Sequence, residues 1–276
     1  MKQILLSLFL TVLVFGLTLS TACGAPASRP ASGEIADQIR AALDSGDATF
    51  DHATFDRLLA EGTRDGFVDY GYFQEHRDEL DGYLSRVARA NLASLEPDDL
   101  MALLINAYNA LTIQSILDHW PVESIRDIDG VWNRATHTVG GQEVTLDAIE
   151  HNLLRPFFKD PRIHFAVNCA SLSCAPLAPW AFTGEGLEEQ LEDRTRGFLS
   201  APKNVRIEGE TLLVSKYFDW YGEDFTQEGW EPIAKTIPAF IARYTRPEVR
   251  AFIESQDGDP PLRFLEYDWS LNAAGG

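Results

Sequence analysis

The 276-residue chain is 45% hydrophobic and 11% aromatic, enough for a sizeable core, with a formal net charge of −19. Such a composition excludes a disordered chain. The acidity excludes nucleic acid as a partner, and adhesion to anionic lipid through a basic patch, because no basic surface is there to release counterions.

Residues 1–19 carry one positive charge, Lys2, followed by a nearly unbroken apolar run from Ile4 to Leu19. This terminal, short run ends in small residues, which predicts a secretory signal over residues 1–22 rather than a spanning helix. The tail Leu19-Ser20-Thr21-Ala22-Cys23-Gly24 resembles a bacterial lipoprotein box, with Ser20 where Leu is usual. Cys23 is then the lipidated new amino terminus; ordinary cleavage after Ala22 is the alternative. Residues 23–45 are assigned to a lipid-anchored linker, on the spacer-like composition of residues 24–33, and residues 46–276 to the body. The expectation is an exported protein held at a periplasm-facing membrane surface of the cell envelope by acyl chains on Cys23.

Apolar spacing predicts a helix over 34–43 in the stretch assigned to the linker and, within the body, helices over 53–61 and 80–88, with a short extended piece at 67–70. A stronger helix starts at Pro97 and runs to about Ile116; its apolar residues cover more than one face, so it should be buried. It carries Asn106, Tyr108 and Asn109, and the two buried amides must find partners. Residues 136–139 and 142–144 around Gly140-Gly141 suggest a hairpin. Thr145 can cap a helix over 146–154 that ends near Arg155, because Pro156 disfavours helical geometry there. Glu150, His151 and Arg155 crowd its last turn. The run Ile163–Val167 has strand character and ends at Asn168-Cys169. A helix over 187–199, a hairpin over 205–208 and 211–214, and an aromatic, acidic cluster over 216–225 follow. The last pieces are a helix over 233–244 kinked at Pro238 and an extended stretch over 262–267. With no repeat or interdomain linker, a helix-rich single α+β domain with a small antiparallel sheet and hairpins is the economical fold.

Dinucleotide, phosphate-loop and serine-elbow motifs are absent, and Cys169 and Cys174 stand alone, so neither a cofactor nor a metal cage is expected. In an exported chain those two cysteines suit a disulfide. The exported setting favours that pairing somewhat over a thiolate nucleophile at Cys169, its pKa lowered by the surrounding turn. Spacing leaves both open.

Three blocks then stand out: Ile105-Asn106-Ala107-Tyr108-Asn109-Ala110-Leu111, the run from Leu146 through Glu150-His151 to Arg155, and His164 through Cys169 to Cys174-Ala175-Pro176. In this order they resemble the family of domain of unknown function 547 (DUF547), over roughly residues 50–225. The usual Cys-Pro of the family is Cys174-Ala175-Pro176 here. The resemblance implies an exported or lipid-anchored bacterial member of unestablished activity. Plant relatives carry Ser at the position of Cys174 while keeping Cys169 and Glu150-His151, which favours Cys169 as the reactive residue and demotes His164.

The resulting expectation is a thiol-dependent hydrolase or acyl transferase. Cys169 is the nucleophile, His151 the base and Asn109 or Asn106 the group orienting the imidazole, while Glu150, Arg155, Tyr108 and Trp220 contact substrate. His before Cys corresponds, by analogy only, to a permuted papain-like arrangement. The alternative is a noncatalytic envelope module. Its aromatic cleft (Trp132, Tyr217, Trp220, Tyr221) binds a peptide, glycan or other small molecule, and a Cys169–Cys174 disulfide staples it.

Overall fold

In a computed structural model of the protein, residues 33–275 are described. The expected signal segment, Cys23 and the spacer through residue 32 lie outside the described residues. Helix α1 (Gly33–Ser45) buries Ile35, Ile39 and Ala42. That corrects the expected body boundary at residue 46: apolar residues four and three apart form a stripe that docks on the core, so residues 33–45 are not a linker.

Helix α2 (Ala53–Gly62) runs into a tight hairpin of β1 (Thr63–Arg64) and β2 (Phe67–Val68). Asp65 and Gly66 turn it with φ of 54° and 83°, the left-handed pair that an Asp-Gly turn supplies. Helix α3 (Tyr70–Glu75) starts where the Asp69 side chain accepts from the Tyr72 amide, and α4 (Arg77–Ala88) follows. Helix α5 (Pro97–Leu117) is 21 residues long with proline at its start and burial on nearly every side. Among the described residues it alone is long and apolar enough to cross a membrane, but 94% of that stretch is buried inside the protein. It is the central core helix.

Strands β3 (His137–Val139) and β4 (Gln142–Val144) pair antiparallel. Residues Ala148–Leu154 then form a wide π-helix that continues directly into α6 (Arg155–Phe158). The chain therefore does not leave helical geometry at Arg155 as expected. Pro156 sits in the first turn of that α segment, just after the change from π to α pairing.

A second correction concerns 163–167. Pro161–Phe165 is a 3-10 helix, opened by the Asp160 side chain accepting from the Arg162 amide, rather than a strand. A short apolar run buried on all sides reads the same in either conformation. Beyond it come α7 (Leu187–Ser200), β5 (Val205–Glu208), β6 (Thr211–Val214) and α8 (Tyr217–Trp220). Helix α9 (Ile237–Tyr244) is capped by Thr236 and carries Pro238 in its first turn, so that proline begins the helix instead of kinking it. Helix α10 (Pro247–Ser255) was not expected. Strand β7 (Leu262–Phe264) joins β6 in parallel, completing a three-stranded sheet.

The fold is helix-rich α+β with small sheets, as its patterning implies. Its hydrophobic residues form two clusters. One surrounds α5; the other packs Phe165, Phe198, Phe218, Phe225 and Phe240 beneath β5–β6. The cysteine loop lies on their seam, with Val167 and Ala170 in the first cluster and Cys174 and Ala175 in the second. The final segment returns across this seam, bridging Ser171 at Leu271 and Val68 at Ala273.

Candidate functional site

The backbone leading to Cys169 is held by amides from the core. Asn109, on α5, donates from Nδ2 to the Ala166 carbonyl at 3.0 Å and accepts the Asn168 amide on Oδ1 at 2.8 Å. Asn106 does the same for Phe182, whose carbonyl and amide it meets at 2.8 and 3.0 Å. Among the described residues neither asparagine has an imidazole among its hydrogen-bond partners, so the expected orienting contact is not made. Both tie loops to the core helix, and burial makes that pairing obligatory.

Asn168 locks the next turn. Its Oδ1 accepts from the Ala170 amide at 3.0 Å and from Asn272 Nδ2 at 3.2 Å, and its Nδ2 donates to the Ala175 carbonyl at 2.6 Å. Ala170 is fully buried at φ 60°, left-handed for a residue with a Cβ. Such a conformation costs on the order of 1–2 kcal/mol and survives only where neighbours over-determine it. It turns the chain sharply just after the Cys169 side chain.

Both cysteines are free thiols, so the disulfide of the alternative reading is not formed in this structure. The buried Cys174 sulfur accepts from the Cys169 amide at 2.9 Å and from the Tyr217 hydroxyl at 3.0 Å. Cys169 is half-buried, and its Sγ meets Ser171 Oγ at 3.3 Å and the Tyr267 hydroxyl at 3.2 Å. These two hydroxyls, 2.8 Å apart, can both turn their protons to a charged sulfur. The Cys174 thiol, followed by Ser171 and Tyr267, donates to Cys169 and holds its pKa below the ordinary thiol value. Burial pushes Cys174 well above it. Of the two, Cys169 is therefore the more readily ionised thiol and Cys174 the one that keeps its proton.

The histidines are organised by a different cluster. Arg155 grips Asp224 with Nε at 2.7 Å and Nη2 at 2.8 Å, and its Nη1 donates to His151 Nδ1 at 3.2 Å. A guanidinium only donates, so His151 carries its proton on Nε2. His164 places Nε2 2.8 Å from Asp224 Oδ2 and stacks on Tyr221, ring centroids 4.1 Å apart. Burial lowers the His164 pKa despite that carboxylate. Glu150 is buried; the Tyr221 hydroxyl donates to it, and His164 Nδ1 lies 3.9 Å from its Oε1. Among the described residues neither histidine is a hydrogen-bond partner of Cys169 Sγ. The expected sulfur–imidazole pair is not made, because the His151 nitrogen that could accept a proton is taken by Arg155.

Cys169, His151, His164 and Glu150 nonetheless line one cleft of about 730 Å³, together with Tyr108 and Trp220. Trp132, Tyr217 and Tyr221, expected in an aromatic cleft, line it as well. Arg155 does not, since it is turned to Asp224 behind the wall. Sequence reasoning missed Tyr267, Trp269, Arg126 and Asp147 on the walls, and Asp224 as the anchor of Arg155 and His164. Tyr267 and Trp269, two apart on an extended tail, point to the same side. That alternation was the available signal, but nothing local ties the tail to a cysteine a hundred residues earlier. Among the described residues no group of three or more His, Cys, Asp or Glu side chains is arranged to hold a metal ion.

A family model described as "Protein of unknown function, DUF547" matches residues 92–199, supporting the resemblance carried by the three sequence blocks. No curated protein and no solved structure matches the chain. The matched span holds Glu150, His151, Cys169 and Cys174; Tyr217, Trp220, Tyr221, Asp224, Tyr267 and Trp269 come from outside it.

Proposed function

We propose that the chain is a thiol-dependent hydrolase or acyl transferase of the cell envelope, with Cys169 as the nucleophile. The observation that carries this reading is the set of donors converging on a free, half-buried Cys169 sulfur that opens to a cleft. Thiolate formation here rests on Cys174, Ser171 and Tyr267 rather than on an imidazole base. His151, with its proton on Nε2 and Arg155 behind Nδ1, is suited to donate a hydrogen bond to the oxygen on which charge develops. The anchorage by lipid on Cys23 rests on the amino-terminal sequence alone.

The test is labelling by iodoacetamide with mass mapping, together with turnover of an activated ester. Cys169 labels faster than Cys174 in the native protein, and His151→Ala labels at the wild-type rate while losing about 10²-fold or more in turnover. Equal labelling of both cysteines, or a Cys169→Ala variant that still turns over, overturns the assignment.

A second reading, a binding module for a peptide or glycan, is favoured by Trp220, 42% exposed at the cleft. Aromatic faces of this kind stack on flat or apolar ligand surfaces. Retention of ligand binding by Cys169→Ala without any turnover by the wild type would select it.

A further inference from the structure

Glu150 is a buried carboxylate on the cleft wall, and among the described residues it feels the Arg155 guanidinium only through space, with no cationic side chain seen to hydrogen-bond it. Its neighbours are the neutral Tyr221 hydroxyl and His164, 3.9 Å away and kept neutral by burial. The guanidinium on the same helical segment, Arg155, spends its donors on Asp224 and His151. Asp147 adds a second carboxylate to the wall; the one guanidinium lining the cleft, Arg126, is exposed and lies over the Trp269 ring at 5.3 Å. A buried anion is costly until a cation reaches it. The rings of Trp132 and Trp220 line the same space and offer a cation electron-rich faces, whereas Tyr221 already stacks on His164 and lies under the Arg155 guanidinium at 5.3 Å. The same two carboxylates repel an anionic ligand.

We propose that the substrate carries an ammonium group, received by Glu150 and the aromatic wall while Cys169 attacks an adjacent carbonyl, which makes esters and amides with a free α-amine the substrate class. The proposal rests on the reading of Cys169 as nucleophile. In the step itself the thiolate sulfur bonds to the carbonyl carbon, and the carbon–oxygen or carbon–nitrogen bond to the leaving group breaks. The leaving group takes a proton from water in the cleft, which becomes hydroxide, while the His151 Nε2–H donates a hydrogen bond to the carbonyl oxygen. That hydroxide then adds to the thioester carbonyl, the carbon–sulfur bond breaks with its electron pair returning to sulfur, and the acid departs.

The full chain is incubated with the p-nitrophenyl esters of alanine and of N-acetylalanine, and acylation of Cys169 is followed by mass spectrometry. Each rate is divided by that ester's rate with glutathione, which removes the difference in intrinsic reactivity. The alanyl ester is expected to acylate at least 10-fold faster after this correction, and Glu150→Gln to abolish the preference. n-Propylammonium should inhibit acylation by the alanyl ester and 1-propanol should not, a measurement on wild type that stands even where the variant fails to fold. Equal corrected rates, or a preference that survives Glu150→Gln in a folded variant, overturn the ammonium site while leaving Cys169 as nucleophile. Absence of acylation by either ester overturns both.

Discussion

At the scale of single residues the site turns on which groups give protons to sulfur. An imidazolium partner would make thiol reactivity depend on a histidine. Here the donors are a second thiol and two hydroxyls, the Tyr267 hydroxyl coming from the C-terminal tail. A hydrogen bond to a charged group is worth about 1.5–3 kcal/mol, and each kcal/mol the thiolate loses raises its pKa by about 0.7. Tyr267→Phe keeps the ring and removes that bond. The inflection in the pH dependence of Cys169 alkylation should move up by about one pH unit or more. Cys174→Ala should move it the same way, while His151→Ala leaves it in place. An inflection unchanged by Tyr267→Phe would mean that the hydroxyl does not hold the thiolate.

Among the elements, α5 is the one that decides where the site is. Asn106 and Asn109 lie three apart on one side of it, and each closes a two-bond clamp on a loop backbone. Removing either leaves a buried amide and a buried carbonyl unpaired, so Asn106→Ala and Asn109→Ala should each destabilise by about 2–5 kcal/mol in urea unfolding. Their effects on chemistry should separate. Asn109 holds Ala166 and Asn168, immediately before Cys169, whereas Asn106 holds Phe182. At low denaturant, where both variants are folded, Cys169 labelling should change in Asn109→Ala and stay at the wild-type rate in Asn106→Ala. The π-helix of Ala148–Leu154 matters for a related reason. Its wider turn brings Glu150 and His151, consecutive residues, to the same cleft while Arg155 reaches Asp224 behind it.

Taken whole, the molecule joins two hydrophobic clusters, and the returning tail ties the seam where the cleft opens. Tyr70 donates to Asn272 Oδ1 at 2.8 Å, so the tail is fixed to the first helices as well as to the cysteine loop. Global stability should carry an acid signature from His52, buried beside Tyr83, whose hydroxyl lies 2.9 Å from Nδ1. Burial pushes His52 down to about 4 from an ordinary 6.5. Between those values the unfolded chain binds the proton and the folded one does not, so stability is full above pH 6.5 and falls as pH drops toward 4. The loss is on the order of 3 kcal/mol, an upper figure for one group. His52→Gln, which still accepts from Tyr83, should flatten that part of the pH–stability curve by chemical denaturation. An unchanged slope would place the acid sensitivity elsewhere.

Local pattern was sufficient for much of this protein. The helices over 53–61 and 97–116, the hairpins at Gly140-Gly141 and Gly209-Glu210, and the choice of Cys169, Glu150 and His151 as candidates, which line one cleft, all follow from spacing, turn chemistry or motif order. These are properties of neighbouring residues, which a chain carries wherever it folds. The 3-10 helix at Pro161–Phe165 and the start of α9 at Thr236 were not legible, because all-round burial and a single cap override apolar runs and prolines. Only tertiary structure decided the partners: Asn109 for the Asn168 backbone, Asp224 for Arg155, Tyr267 for the Cys169 sulfur. Each joins residues dozens to nearly a hundred positions apart, and buried polar atoms take whichever group packing brings within 3 Å or so.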